Sequence, residues 1–421
     1  MRHIFTPFLF LLCAGTTFNA AAQQHERVSR FTLGGYGEAV MQRMFYSDNV
    51  ARYTNPSAYK DKGHGRFDLP HVVIYTSYDF GRGWKVSTEI EFEHGGTGTT
   101  YEIENEETGE YETEVEKGGE VALEQFWIEK SWSESVNVRV GHVVVPVGLT
   151  NQYHMPTDFF TVTRPEEESA ILPCTWHETG VSVHGRSGKW HYEAQFIAGL
   201  DAERFNNANW IQGGSTSPYE FSIATSYAGA FRVDYYPGPG ARLALSGYHG
   251  NSAKNSLKPE RYEKIQGAVT IGAFDVVYNR HHVLLRASAL YGHLGDSHAI
   301  STVNKRLPSA SPSPRTDVAS DVVSGYVEAG YDLLSFVPRA YTGDKLYVYA
   351  HYGLYDSMFK VARGLTDKPW SQKRLFSVGA NYFPLEGVVV KAEYATRRFR
   401  APYNNEPTFS VGIAYSGIFK L

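Results

Sequence analysis

The chain has 421 residues with two cysteines, a formal charge of −5, 42% apolar residues and 20% charged residues. A weakly acidic balance gives no pull toward nucleic acid, and no segment holds the roughly 18 consecutive apolar residues of a membrane helix. So few cysteines exclude a disulfide framework or a zinc spacing, whereas 29 Tyr, 24 Phe and 40 Gly point to a β-rich chain.

The chain opens Met1-Arg2-His3, runs apolar from Ile4 to Gly15, and reaches Ala20-Ala21-Ala22 before Gln23. A basic start, a short apolar run and a small-residue site predict a secretory signal over 1–22 and a mature chain over 23–421. Cys13 follows Leu12 rather than a small residue, which speaks against a lipoprotein signal, and Cys174 is the mature chain's one cysteine.

From about Phe31 onward, segments with two-residue periodicity recur, as strand side chains alternate between faces. In KVSTEIEFEH, Val86, Thr88, Ile90 and Phe92 oppose Lys85, Ser87, Glu89, Glu91 and Glu93. In HETGVSVHG, Thr179, Val181 and Val183 oppose Glu178, Ser182 and His184. In FRVDYYPG, Phe231, Val233 and Tyr235 oppose Arg232, Asp234 and Tyr236. In VVVKAEYATRRF, Val388, Val390, Ala392 and Tyr394 oppose Val389, Lys391, Glu393, Ala395 and Arg397. HVVIYTSYDF and GAVTIGAFDVV mix their faces, which predicts bulges there. The chain closes on FSVGIAYSGIFKL, with Phe409, Val411, Ile413, Tyr415 and Phe419 on one side and Ser410, Gly412, Ala414 and Ser416 on the other.

The connections alternate in length. Short turns fall at 80–85, 132–136, 185–190, 236–242, 278–283, 336–345 and 383–388, and long polar stretches at 44–65, 95–119, 147–175, 199–218, 250–262, 294–320, 356–372 and 400–407. Seven turns and eight loops connect sixteen strands. Even strand number, tight turns at one end and long loops at the other are the pattern of a transmembrane antiparallel β-barrel of the bacterial outer membrane. Closing the sheet pairs every backbone group in lipid and removes the exposed edges. Aromatic residues near strand ends (Tyr36, Phe67, Phe80, Trp84, Trp127, Trp132, Trp190, Tyr278, Tyr382 and Phe383) are expected in girdles at the two interfaces.

Sixteen strands leave an aqueous interior unless a loop enters it. The stretch 147–175 is the expected intruder, since Phe159, Phe160, Ile171 and Leu172 suit a wall better than water. The region VRVGHVVVPVGLTNQYHMPTDFFTVTRPEEESAILPCTWHETGVSVHG (138–185) has a strand ending in VGH, a Pro146-x-Gly148-Leu149 entry, an Ile171-Leu172-Pro173 exit and a Glu178-x-Gly180 restart. With the chain-wide layout, it resembles the phosphate-selective porin O and P family. The resemblance implies a sixteen-stranded homotrimeric porin in the outer-membrane lipid, narrowed by its third long loop and passing small hydrophilic solutes or ions, anions such as phosphate among them. It also departs from that family: Trp176-His177 stand near where an Arg is often found, and Glu166, Glu167 and Glu168 add negative charge to the loop.

Expected lumenal charges are Arg139, Arg186, Arg232, Arg242, Arg286, Lys391 and Arg397 against Glu89, Glu91, Glu93, Glu193, Asp234, Glu328, Asp332 and Glu393, joined at the constriction by His154, Asp158, Arg164, Glu166, Glu167 and Glu168. Charge of both signs predicts broad, weak selectivity. No catalytic residue, cofactor or metal site is expected. His281-His282 lies in a tight turn, and no serine-elbow or calcium-loop motif occurs. A barrel whose loops bind something at the surface, as an adhesin or an accessory protein, is the alternative.

Overall fold

The computed structural model describes residues 30–420, apart from 61, 97–98, 106–110, 118, 174, 216–222, 257, 310 and 338–342. The expected signal at 1–22 and Cys174 lie outside the described residues. The strands in chain order are β1 (Phe31–Met44), β2 (His64–Asp68), β3 (His71–Gly81), β4 (Trp84–Glu93), β5 (Thr99–Asn105), β6 (Tyr111–Lys117), β7 (Glu120–Ser133), β8 (Val136–Val144), β9 (His177–Ser187) and β10 (Trp190–Ala198). They continue as β11 (Tyr227–Tyr235), β12 (Ala241–Asn251), β13 (Ala268–Arg280), β14 (Val283–Leu294), β15 (Asp321–Asp332), β16 (Lys345–Lys360), β17 (Gln372–Leu385), β18 (Val388–Arg398) and β19 (Glu406–Lys420).

Every neighbouring pair is antiparallel, and β1 pairs with β19 from Thr32↔Lys420 to Met44↔Thr408, which closes the sheet. β2 and β3 pair with successive parts of β1 and are parted by Leu69-Pro70, so they form one stave. A proline cannot donate to the ladder, which accounts for the break. The result is a closed sixteen-stave barrel. β5 and β6 form a separate hairpin within the acidic 94–119 connection.

All seven short turns and all eight long loops fall where the sequence predicts them. Two long loops run further than expected, to residues 226 and 267. Alternation of the faces also holds. On β4, Ser87, Glu89 and Glu91 are buried, and on β19 Phe409, Ile413, Tyr415 and Phe419 are exposed on the outer face. The outward face is apolar, where a mid-bilayer charge costs about 2–4 kcal/mol.

Three expectations are corrected. Strand β13 contains no bulge: Val269, Ile271, Ala273 and Asp275 face inward in unbroken register on both sides. Its inner face is apolar because loops, not water, cover it. Tyr36 and Trp127 do not join a girdle; they are 2% and 5% exposed and point into the lumen. Phe383 likewise packs inward against Tyr347. Phe80, Trp84, Trp132 and Trp190 do sit exposed at the tight-turn ends, and Phe196 stacks on Tyr227 at the opposite end.

Candidate functional site

The 145–176 loop folds into the barrel. Val145, Val147, Leu149, Ile171, Leu172 and Trp176 are fully buried, so the apolar residues that marked the loop are what carry it inward. Burying such a side chain contributes about 1.5–3 kcal/mol. All but Leu149 join Leu200, Phe205, Trp210, Tyr262, Ile300 and Val318 from other long loops in one apolar core against the inner faces of β10 to β15. Trp176 packs on Tyr248 with ring centroids 4.8 Å apart. This side of the lumen is filled.

The rest of the loop runs on to the adjoining wall of β16 to β18 and is fastened there by hydrogen bonds. The Lys391 ammonium donates to the carbonyl oxygens of Phe159 and Thr161 at 2.9 and 2.7 Å, and Asn381 donates to Phe160 O at 2.9 Å. Pro165 leads into a single helical turn, α1 (Glu166–Ser169), which directs three successive carboxylates to three partners. Glu166 meets Arg397 and the Tyr355 hydroxyl, Glu167 meets His351 Nε2 at 3.0 Å, and Glu168 turns back to accept from the backbone N–H groups of Leu149 and Asn151. The barrel makes room with glycines. A Cβ on Gly353 would lie 1.6 Å from Glu167 Oε1, and one on Gly330 would lie 2.4 Å from the Phe160 ring.

Charges of both signs are brought together in pairs. Arg232 bonds Asp234 and Asp275 at 3.0 Å and also donates to Gly148 O, while Arg242 bonds Asp275 and lies 4.1 Å over the Tyr153 ring. Arg286 approaches Glu328 at 3.4 Å. Arg139 and His184 both reach Glu129 at 3.0 Å, with Arg139 stacked over Trp127. Arg397 also pairs with Glu406, which Arg52 reaches at 3.0 Å. Arg186 stands apart, exposed near the tight-turn end of β9. Arg164 reaches Thr175 at 2.8 Å, the Tyr36 hydroxyl at 3.4 Å and Glu91 at 3.8 Å.

Among the loop's titratable groups, burial is the first cause of shift. It pushes the His154 imidazole down to about 4, with Arg164 adding to the effect. It raises Glu168, and it raises Asp158 against the opposing pull of Arg286 and Lys391. Glu166 goes the other way: burial pushes up, but Arg397 and Lys373 hold it below the usual carboxylate range.

Between the loop and the wall of β1, β2 and β16 to β19 lies a cavity of about 310 Å³. Arg66, Arg164 and Arg397 line it together with Glu166, Glu393 and Glu406. Toward the tight turns, a second cavity of about 310 Å³ is lined by Tyr153, Arg186, His191, Glu193, Arg232 and Asp234. The structure therefore gathers His154, Asp158, Arg164 and Glu166 to Glu168 with Arg232, Arg286, Lys391 and Arg397 around one crossing loop, and leaves Arg139 and Arg186 nearer the turns. Sequence reasoning missed Glu38, Glu124, Asp275, His351 and Glu406, all buried and inward-facing. Strict alternation would have found Glu38 from Tyr36 and Asp275 from Ile271; Glu124 is hidden by a bulge.

No family model matches the chain. An uncharacterised protein of Aquifex aeolicus (strain VF5) is 25% identical over 400 residues, 92% of this chain and 80% of that one. Among solved structures, an anion-selective porin from Comamonas acidovorans superposes with a TM-score of 0.52 at 12% identity, over 92% of this chain and all of that one. OmpF of Salmonella typhi, in complex with daunomycin, gives 0.53 at 11% over 91% and 97% of the two chains. OprB of Pseudomonas putida gives 0.53 at 9% over 92% and 94%. The fold is thus the sixteen-stranded barrel of outer-membrane porins.

Proposed function

We propose that the protein is a passive porin of the bacterial outer membrane that lets small hydrophilic solutes and ions diffuse with broad, weak charge preference. The observation that carries this reading is the charged cavity left between the crossing loop and the wall of β16 to β19. Carboxylates and guanidinium groups face one another across it, and such opposed rows make a transverse field that orders water and admits polar solutes of either sign. Phosphate selectivity is not part of the proposal. Arg232, Arg242, Arg286 and Arg397 each close onto carboxylates, which removes the open basic path that anions need. Assembly as a homotrimer follows from the family resemblance, and cross-linking in intact outer membranes tests it.

The decisive experiment is reconstitution of the purified chain in planar bilayers. Stepwise conductance with a reversal potential close to zero in a KCl gradient is expected. The loop-filled core against β10 to β15 favours a second reading, a barrel whose packed outer loops serve as a binding or accessory surface. A folded, heat-modifiable barrel that never conducts selects that reading.

A further inference from the structure

Strands β4 and β7 pair as Glu89↔Gln125 and then as Ile90↔Leu123, so Glu124 is an extra residue with no opposite number. A bulge of this kind re-aims a side chain. Here it turns two consecutive residues inward: Gln125 donates to Glu89, and Glu124 is 0% exposed. Among the described residues, neither carboxylate oxygen of Glu124 meets a hydrogen-bond donor. Burying an unpaired carboxylate costs several kcal/mol unless it takes up a proton or meets a cation.

The neighbouring cations are already engaged. Glu91 takes His71 at 2.6 Å and lies 3.8 Å from one terminal nitrogen of Arg164, which also reaches the Tyr36 hydroxyl, while the other terminal nitrogen donates to Thr175 and Nε to the His154 carbonyl oxygen. The remaining group at Glu124 is His154, on the crossing loop. Its Nδ1 lies 2.9 Å from the Asn151 carbonyl, so Nδ1 carries the proton and Nε2 keeps a free lone pair, the arrangement that prepares an imidazole to ligate a metal. One ligand atom from each of Glu89, Glu124 and His154 lies within 4.8 Å of the other two. A tetrahedral site with bonds of about 2.1 Å has an edge of roughly 3.4 Å, so binding draws these atoms closer together.

We infer that Glu89, Glu124 and His154 form a binding site for a divalent transition-metal cation of the Zn²⁺ type, which ties the crossing loop to the β4–β7 wall. One nitrogen and two carboxylate donors suit such an ion, whereas Ca²⁺ takes six to eight oxygens. Two positive charges also balance the two carboxylates. The tie lies on β4 and β7 rather than on β18, which carries Lys391 and Arg397, so the loop is held at two separate parts of the wall.

The test uses the full chain folded in detergent, stripped with EDTA and dialysed free of it. Calorimetric titration with ZnCl2 is expected to show one equivalent bound, and CaCl2 none. Glu124→Gln and His154→Ala should each weaken Zn²⁺ binding by about 100-fold or more, whereas His249→Ala, on the outward face of β12, should leave it unchanged. Absence of saturable Zn²⁺ binding, or equal affinity in both site variants with heat-modifiable migration intact, overturns the site. Should the variants not fold, the zinc-edge absorption spectrum of the unmodified protein decides: an imidazole shell supports the site and its absence overturns it. Bilayer conductance is a separate readout. Conductance without Zn²⁺ binding removes the site and leaves the channel, and Zn²⁺ binding without conductance does the reverse.

Discussion

Lys391 of β18 donates a 2.7 Å hydrogen bond to the carbonyl oxygen of Thr161, so a wall cation grips the backbone of the crossing loop rather than a solute. The same ammonium lies 4.2 Å over the Phe159 ring. A buried charged donor to a carbonyl contributes about 1.5–3 kcal/mol. Lys391→Met keeps the stem and removes the donor. We expect a loosened 159–161 segment, read as faster limited proteolysis there and as larger, noisier conductance steps. Unchanged cleavage and conductance would mean that the loop is held without it.

Arg164 lines the cavity between the loop and the wall of β16 to β19 and also faces Glu91. Arg164→Glu replaces the one guanidinium beside that carboxylate with a like charge. Reversal potential in a KCl gradient should move toward cation preference, accompanied by a lower unfolding temperature in detergent. A reversal potential that stays put removes Arg164 from the conduction path.

Gly353 leaves the space that the Glu167 side chain fills on its way to His351. Gly353→Val overpacks that contact, at a cost of about 1–3 kcal/mol. The barrel should still close, because position 353 keeps its backbone pairing with Leu375. Denaturant midpoints should fall, and α1 should become accessible to protease. A midpoint equal to the parent's would show that Glu167 relocates without loss.

Acid should release the loop at Glu166. Arg397 and Lys373 hold this carboxylate below the ordinary glutamate range against the upward push of burial. A depressed folded pKa gives stability that is present above the unfolded value, about 4.3, and is lost as pH falls through the folded one. Channel noise should therefore rise only below about pH 4, and Glu166→Gln should show the noise at neutral pH as well. A Glu166→Gln channel as quiet as the parent at neutral pH would contradict the anchoring role.

The sheet was legible in the chain because lipid imposes its rule locally. Phe409, Ile413 and Tyr415 must face hydrocarbon, and Ser410 and Ala414 must not, so strand, face and turn can be read residue by residue. The misread positions are apolar groups that point inward. Ile271 and Ala273 on β13 meet loops distant in sequence, whereas Trp127 on β7 lies under the wall cations Arg139 and Lys85. Among the site residues, the loop's carboxylates and Arg164 were visible as charges in an apolar loop, but their partners were not. Glu167 and His351 are 184 positions apart, and Lys391 and Thr161 are 230 apart.

The stave count, the end on which the long loops lie, and which loop turns inward are all legible along the chain, because each follows from a short-range pattern of polarity answering to lipid, water or a turn. Closure of the ring settles which charge meets which, that loops pack an apolar core against β10 to β15, and that a one-residue bulge buries Glu124 with no donor among the described residues. It brings strands from opposite ends of the chain within hydrogen-bonding distance of a single crossing loop.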